Sequence, residues 1–269
     1  MSDLIPTLPR TAVGAIHQFL RAHAGPPSGH GGIVGLSGGL DSAVTARLAR
    51  DALGPERVLG VLLPDPGYPE SLQRETREFA EALGIEHRTV PLGPSIEAMR
   101  AAVPEVRDRV TLGNMTARLR MTLLYALARE RERLVLGTGN KSELLLGYFT
   151  KYGDGGVDVL PLGDLYKTQV RALAVELDIP GPIRERAPTA GFWEGQTDEG
   201  EIGLPYETID RILYGFEQLR TEDEVHATTG VPLASVHALA VRVAQNRHKR
   251  RLPPIPKLGL RTVGLDWRD

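Results

Sequence analysis

Apolar positions recur along this chain with two different periods. Thr11 to Ala24 places Val13, Ile16, Phe19 and Leu20 at helical spacing, and the loop Gly25-Pro26-Pro27-Ser28-Gly29 ends that run. Short apolar stretches then alternate with amphipathic ones. The pattern predicts a strand over 32–36 and a helix over 40–53, then a strand over 57–63 and a helix over about 70–83. A strand over 86–91 follows, then a long helix over about 114–132 with Leu119, Leu123 and Leu127 on one stripe, then a strand over 134–137. Short apolar strands joined by helices predict an α/β fold: a parallel sheet with helices on both faces and right-handed crossovers. From about 163 only helical patterns remain, over 164–178, 207–219, 222–229 and 232–246. A Gly-, Pro- and Thr-rich stretch at about 185–205 lies among them. No internal repeat or clean linker interrupts the chain. We therefore expect a single domain over 1–269, with an α/β core at about 10–162, a mainly helical C-terminal part at about 163–250 and a tail over 251–269.

Composition narrows the partners. The 269 residues are 41% hydrophobic and 25% charged, ordinary for a globular protein, with a net charge of −2. No global basic field recommends a nucleic-acid partner. There is no cysteine, which excludes disulfides and Cys-based zinc sites and is compatible with a reducing compartment. Met1 to Pro6 lacks the basic region and apolar core of a signal peptide, and no apolar run approaches a membrane span. The expectation is a cytoplasmic protein with no membrane partner.

Candidate chemistry begins at Gly35-Leu36-Ser37-Gly38-Gly39-Leu40-Asp41-Ser42, between the first strand and the next helix. In a parallel sheet, ligands lie beyond the C-terminal strand ends. A helix start offers free N–H groups and the positive end of the macrodipole, which together suit a phosphate. Gly38 and Gly39 allow close backbone approach, and Ser37 and Ser42 add hydroxyl donors. Asp41 repels an anion unless a metal stands between them, so it points to Mg²⁺ bridging Asp41 and phosphate. Taken alone, the run reads first as a Gly/Ser turn with a helix cap. It is not GxxxxGK[ST] and not GxGxxG.

A second constellation, Gly137-Thr138-Gly139-Asn140-Lys141-Ser142-Glu143, again follows a strand. Glu143 is either a carboxylate favoured by a helix start or, with Asp41, half of a grip on one Mg²⁺. Tyr148, Phe149 and Tyr152 are packing residues or pocket walls. Gly153-Asp154-Gly155-Gly156 reads first as a turn. His248-Lys249-Arg250-Arg251 reads first as a solvated helix end.

In their joint order these blocks resemble a known family. The first loop is similar to SGGxDS of the ATP pyrophosphatases, which cleave ATP between its α and β phosphates. The run from Gly137 to Val170, the blocks Pro188-Thr189-Ala190-Gly191-Phe192-Trp193 and Gly195-Gln196-Thr197-Asp198-Glu199, and His248-Lys249-Arg250 resemble NAD synthetases. The likeness covers about residues 10 to 255. It implies an adenine nucleotide alpha hydrolase-like core that converts deamido-NAD, ATP and ammonia into NAD, AMP and pyrophosphate, in a homodimer often carrying substrate at its interface. It further implies ATP contacts from Gly35, Leu36, Ser37, Gly38, Gly39, Leu40, Asp41, Ser42, Thr138, Lys167 and Thr189, and Mg²⁺ ligation by Asp41 and Glu143. Arg118, Lys151, Asp158, His248 and Lys249 correspond to deamido-NAD contacts, and Asp154 to a catalytic carboxylate near the ammonia.

The segment Pro64-Asp65-Pro66-Gly67-Tyr68-Pro69-Glu70 departs from the acidic pattern of many relatives, so no ATP contact is assigned to it. The length leaves no room for an amidotransferase domain, which points to free ammonia. Stretches 65–72 and 190–205 are expected to act as mobile lids that keep water from an adenylate. Three rival readings stay open. A tRNA-modifying ATP pyrophosphatase calls for a basic module or thiol pair, neither of which the sequence shows. A non-catalytic nucleotide sensor would release no pyrophosphate. A Rossmann dehydrogenase needs the third glycine that Ser142 replaces.

Overall fold

The computed structural model describes residues 4–27, 29–189, 191 and 195–263. In chain order the elements are α1 (Ala12–Ala24), β1 (Gly32–Gly35), α2 (Leu40–Leu53), β2 (Val58–Leu62), α3 (Glu70–Ala82), β3 (Glu86–Thr89), α4 (Gly93–Ala102), α5 (Arg109–Glu130) and β4 (Leu134–Leu136). Then come α6 (Lys141–Leu146), α7 (Lys167–Glu176), α8 (Gly181–Arg184), α9 (Asp198–Ile202), α10 (Tyr206–Glu217), α11 (Glu222–Thr229) and α12 (Leu233–Gln245). A 3-10 turn, Asn246–Arg250, follows.

The four strands among the described residues are all parallel, in the order β3-β2-β1-β4. Ile33 on the central β1 stands opposite Leu59 on one side and Val135 on the other. Because strand side chains alternate, Ile33, Leu59, Val61 and Val135 enter one core layer, beside Ala128 of α5. Val34, Val58, Leu62 and Leu136 enter the opposite layer, with Leu48 of α2 and Leu173 of α7. A third core, built on Tyr166, Tyr206, Ile212, Leu213, Val225 and Val236, lies in the helical part. Leu146 of α6 belongs to that third core, so α6 joins the strand tips to the helices.

The expected parallel sheet with helical cover is therefore present. The long helix starts at Arg109 rather than 114, because the Asp108 carboxylate accepts the Thr111 N–H at 2.7 Å and caps the helix earlier. The helix expected over 164–178 begins at Lys167. Three helices escape the periodicity. In α4 no residue is buried, and α8 and α9 are single turns. Of the two expected lids, 65–72 is described throughout, whereas Ala190, Phe192, Trp193 and Glu194 of the other lie outside the described residues, as does the tail end 264–269.

Leu48 is fully buried between the sheet and its covering helices. Leu48→Ala is expected to lower the unfolding free energy by about 2–5 kcal/mol, as cavity-forming core truncations do. Denaturant titration checks this; a loss below about 1 kcal/mol would contradict the placement of Leu48 in this core.

Candidate active site

β1 delivers the chain into the tight loop before α2. Gly38 has φ +71°, a conformation L side chains rarely adopt, and a Cβ there would lie 2.7 Å from Leu72 Cδ1 and Thr76 Oγ1. The loop is tied down internally. The Ser37 N–H donates to Ser42 Oγ at 3.3 Å, and the Ser42 hydroxyl donates to the Gly39 carbonyl at 2.9 Å. Neighbours also hold it: the Tyr68 hydroxyl donates to the Ser37 carbonyl at 2.8 Å, and the Arg186 guanidinium donates to the Gly38 carbonyl. Gly39, the N-cap of α2, has no side chain with which to satisfy the first-turn amides. Those donors are left to an anion.

β4 leads to α6 through a reciprocal cap. Asn140 Oδ1 accepts the Glu143 N–H and Glu143 Oε2 accepts the Asn140 N–H, each at 3.1 Å. The remaining donor of the Asn140 side chain reaches Asp41 Oδ1 at 3.1 Å. The cap thus fixes Glu143 relative to Asp41 across two strand tips. Lys167, the first residue of α7, inserts its ammonium between them. It pairs closely with Asp41 Oδ2 and stands 3.6 Å from Glu143 Oε1, with its side chain only 3% exposed. Burial, and after it the Asp41 charge, push the Glu143 carboxyl up to about 8. Desolvation opposes charge on Lys167, yet Asp41 and Glu143 outweigh it and hold the ammonium above its ordinary value. A third acid, the buried Asp198, accepts from the Tyr206 hydroxyl at 3.2 Å; burial raises its carboxyl and Lys167 opposes that rise.

Asp41, Glu143, Lys167 and Asp198 line a cleft of about 1410 Å³ that also receives Thr138, Asp154, Thr189 and Lys249. Of the Gly35–Ser42 run, every residue but Gly38 lines it. Tyr148 and Phe149 are among its walls, while Tyr152 is exposed elsewhere. Asp154 accepts the Thr150 N–H at 2.8 Å. Its surface stays open to the cleft, but the enclosing walls raise its carboxyl above the usual range. The Lys249 ammonium caps α6, donating to the carbonyls of Gly147 at 2.6 Å and Phe149 at 2.9 Å.

The other expected substrate contacts do not line the cleft of this one chain. Arg118 is exposed and donates to the Lys151 carbonyl at 3.3 Å. The Lys151 ammonium lies over the Tyr152 ring. His248 is exposed in the 3-10 turn. Asp158 braces β4, accepting the Val135 N–H at 2.7 Å and the Tyr125 hydroxyl at 3.0 Å. Conversely, the sequence reasoning missed Tyr68, Arg120, Arg186 and Asp198 as cleft residues. Arg120 pairs with Asp65 at 2.9 Å and had a signal. It lies two residues from Arg118, about 200° around the same helix, so only one of the two can face the cleft. Arg186 and Asp198 come from irregular chain and a single helical turn, where no periodicity reveals a face.

A family model described as NAD synthase matches residues 12–253. The chain belongs to the NAD synthase family. Among its relatives, the NH(3)-dependent NAD(+) synthetase of Methanococcoides burtonii is 47% identical over 230 residues, 85% of this chain and 88% of that one. The enzyme of the same name from Sulfolobus acidocaldarius is 48% identical over 242 residues, 88% of this chain and 86% of that one. Among solved structures, the NMN synthetase from Francisella tularensis superposes with a TM-score of 0.83 at 36% identity, covering 94% of this chain and all of that one. The NH3-dependent NAD synthetase from Campylobacter jejuni superposes at 0.78 with 29% identity, covering 96% of this chain and all of that one. These likenesses bear out the α/β fold. Like other NAD synthase chains this one uses ATP, and no helix among its described residues is long and apolar enough to cross a membrane. Nor do three or more His, Cys, Asp or Glu among the described residues group to hold a metal, which leaves Asp41 and Glu143 as a two-acid set.

One consequence is open to titration. Burial and the hydrogen bond to Asp158 raise the Tyr125 phenol from 10.0 to about 12. The folded state therefore keeps a proton the unfolded chain loses. That contribution is full below pH 10 and disappears as pH rises through 10 to 12. Wild-type stability should fall more steeply across that window than that of Tyr125→Phe. Parallel slopes in denaturant titrations at several pH values would refute it.

Proposed function

We propose that this chain is an ammonia-dependent NAD synthetase: deamido-NAD, ATP and ammonia give NAD, AMP and pyrophosphate. The carrying observation is a phosphate loop opening directly onto the Asp41–Lys167–Glu143 cluster, in a chain that matches the NAD synthase family over nearly all its length.

In this reading the triphosphate meets the free amides of α2, the hydroxyls of Ser37 and Ser42, and the Lys167 ammonium, with Thr138 and Thr189 at its flanks. The nicotinate carboxylate attacks the α-phosphorus, forming an acyl adenylate and releasing pyrophosphate. Charge spreads over phosphorus oxygens in that transition state, where fixed N–H groups and cations stabilise it. Ammonia then attacks the activated carbonyl and displaces AMP. Only the unprotonated form has a lone pair, so the ammonium must give up a proton at this step. Asp154, raised above its usual range, is suited to accept it.

The donor set fits Mg²⁺. Two carboxylates already enclose one positive charge, and Glu143 is pushed up to about 8 when only Lys167 balances the pair. When bound, the ion neutralises triphosphate oxygens and so eases nucleophilic attack. Asp41 and Glu143 would hold it, and Lys167 would turn to phosphate.

The proposal includes a homodimer. Arg118 and Lys151 lie together on an exposed face, and a second copy would bring that face, with Asp158 and His248, to the dinucleotide. It also includes one domain spanning core, helical part and tail, and a cytoplasmic location, with which the absence of cysteine is compatible.

Purified protein incubated with ATP, Mg²⁺, ammonium and deamido-NAD should form NAD and AMP in equal amounts, and omitting any component should stop it. The acid form of NMN, included because one structural relative is an NMN synthetase, should be the poorer acceptor. Asp41→Asn and Glu143→Gln should each abolish turnover. ADP as the nucleotide product, or near-normal rates in either variant, would overturn the proposal.

A further inference from the structure

Asp210 lies on α10, outside the cleft, and is fully buried. Burying a carboxylate is expensive unless its oxygens are satisfied. Its oxygens go to two helix starts. Oδ1 accepts the Ser142 hydroxyl at 2.5 Å, and Oδ2 accepts the Thr168 N–H at 2.8 Å. Ser142 Oγ in turn accepts the Lys167 N–H at 2.9 Å. Ser142 precedes Glu143 in α6, and Thr168 follows Lys167 in α7. One buried side chain in the helical part thus ties the backbone beneath Glu143 to the backbone beneath Lys167.

We propose that Asp210 is a positioning residue: through Ser142 and Thr168 it sets the register between the Glu143 carboxylate and the Lys167 ammonium, and so the affinity of the cleft for ATP. This rests on the reading that Lys167 and Glu143 serve ATP. If α10 needed only to pack on α6 and α7, an apolar residue of similar volume would avoid the desolvation cost. A carboxylate reaching both helix starts holds their separation through two directional bonds, which packing alone does not. The dinucleotide contacts do not run through this link, so their affinity should not depend on it.

The test uses the full-length protein and calorimetric titration with Mg²⁺–ATP alone and with deamido-NAD alone. Asp210→Asn keeps the shape but replaces one acceptor with a donor facing the Thr168 N–H or the Ser142 hydroxyl. Ser142→Ala breaks the link at its α6 end, together with the direct bond from the Lys167 N–H, and covers the case in which Asp210→Asn does not fold. Each is expected to weaken ATP binding about 10- to 100-fold, the range for groups that orient ligating side chains, and to leave deamido-NAD binding unchanged. The double variant should lose no more than the worse single one, because both cut one link. Val225→Ala, a core truncation in α11 away from the cleft, should lower the melting temperature yet leave both affinities alone. Folded single variants with wild-type ATP affinity, or with both affinities falling together, would overturn the inference. Wild-type protein that binds no ATP would instead overturn the proposed function.

Discussion

One ammonium between two carboxylates is the interaction on which this site depends. Asp41 lies in the first turn of α2 after β1, Glu143 in the first turn of α6 after β4, and Lys167 at the start of α7. Adjacent parallel strands bring the two acids together, because β1 and β4 are neighbours in the sheet. Like charges enclosed in a protein repel, and each unpaired charge buried there costs several kcal/mol. Lys167 resolves that conflict in the ligand-free protein. The same arrangement makes the cluster ready for a polyanion with its own cation.

Charge pairing of this kind works only if geometry is held from outside. The Asn140–Glu143 cap aims one acid, and its side chain steadies the other. Tyr68 and Arg186 brace the phosphate loop at two successive carbonyls, those of Ser37 and Gly38. The helical part contributes as much as the sheet, since Lys167, Asp198 and the cap from Lys249 all come from beyond the last strand. The site is a joint between two cores. That is why it is a cleft, and why a buried residue such as Asp210 can influence it without touching it.

Much of this was legible in the sequence, for physical reasons. The strands of β1, β2 and β4 are apolar on both faces, and their loops carry the glycines and acids that an anion site needs. Asp41, Glu143 and Lys167 were named from motif order, and the structure brings them together. What was not legible follows from the absence of a period. In α4 no residue is buried, so no apolar stripe marks it. Arg186 acts through a loop conformation and Asp198 through a single helical turn. Arg118 is named by the family likeness, and Arg120, two residues on, lines the cleft of this chain because of the rotational phase of α5, which the residue types alone do not give. Asp158 is named by the family likeness alone; within this chain it accepts the Val135 N–H of β4 at 2.7 Å, a bracing role that no motif announces.

The most direct test of the charge-pairing account is a stability cycle on the ligand-free protein, with Lys167→Met, Asp41→Asn and the double variant compared by denaturant titration. The account predicts that Lys167→Met alone costs about 3–5 kcal/mol, as removal of one partner from a buried pair does, and that adding Asp41→Asn restores part of that loss. Losses that simply add would mean that Lys167 and Asp41 do not depend on each other, and the account of the site would be wrong.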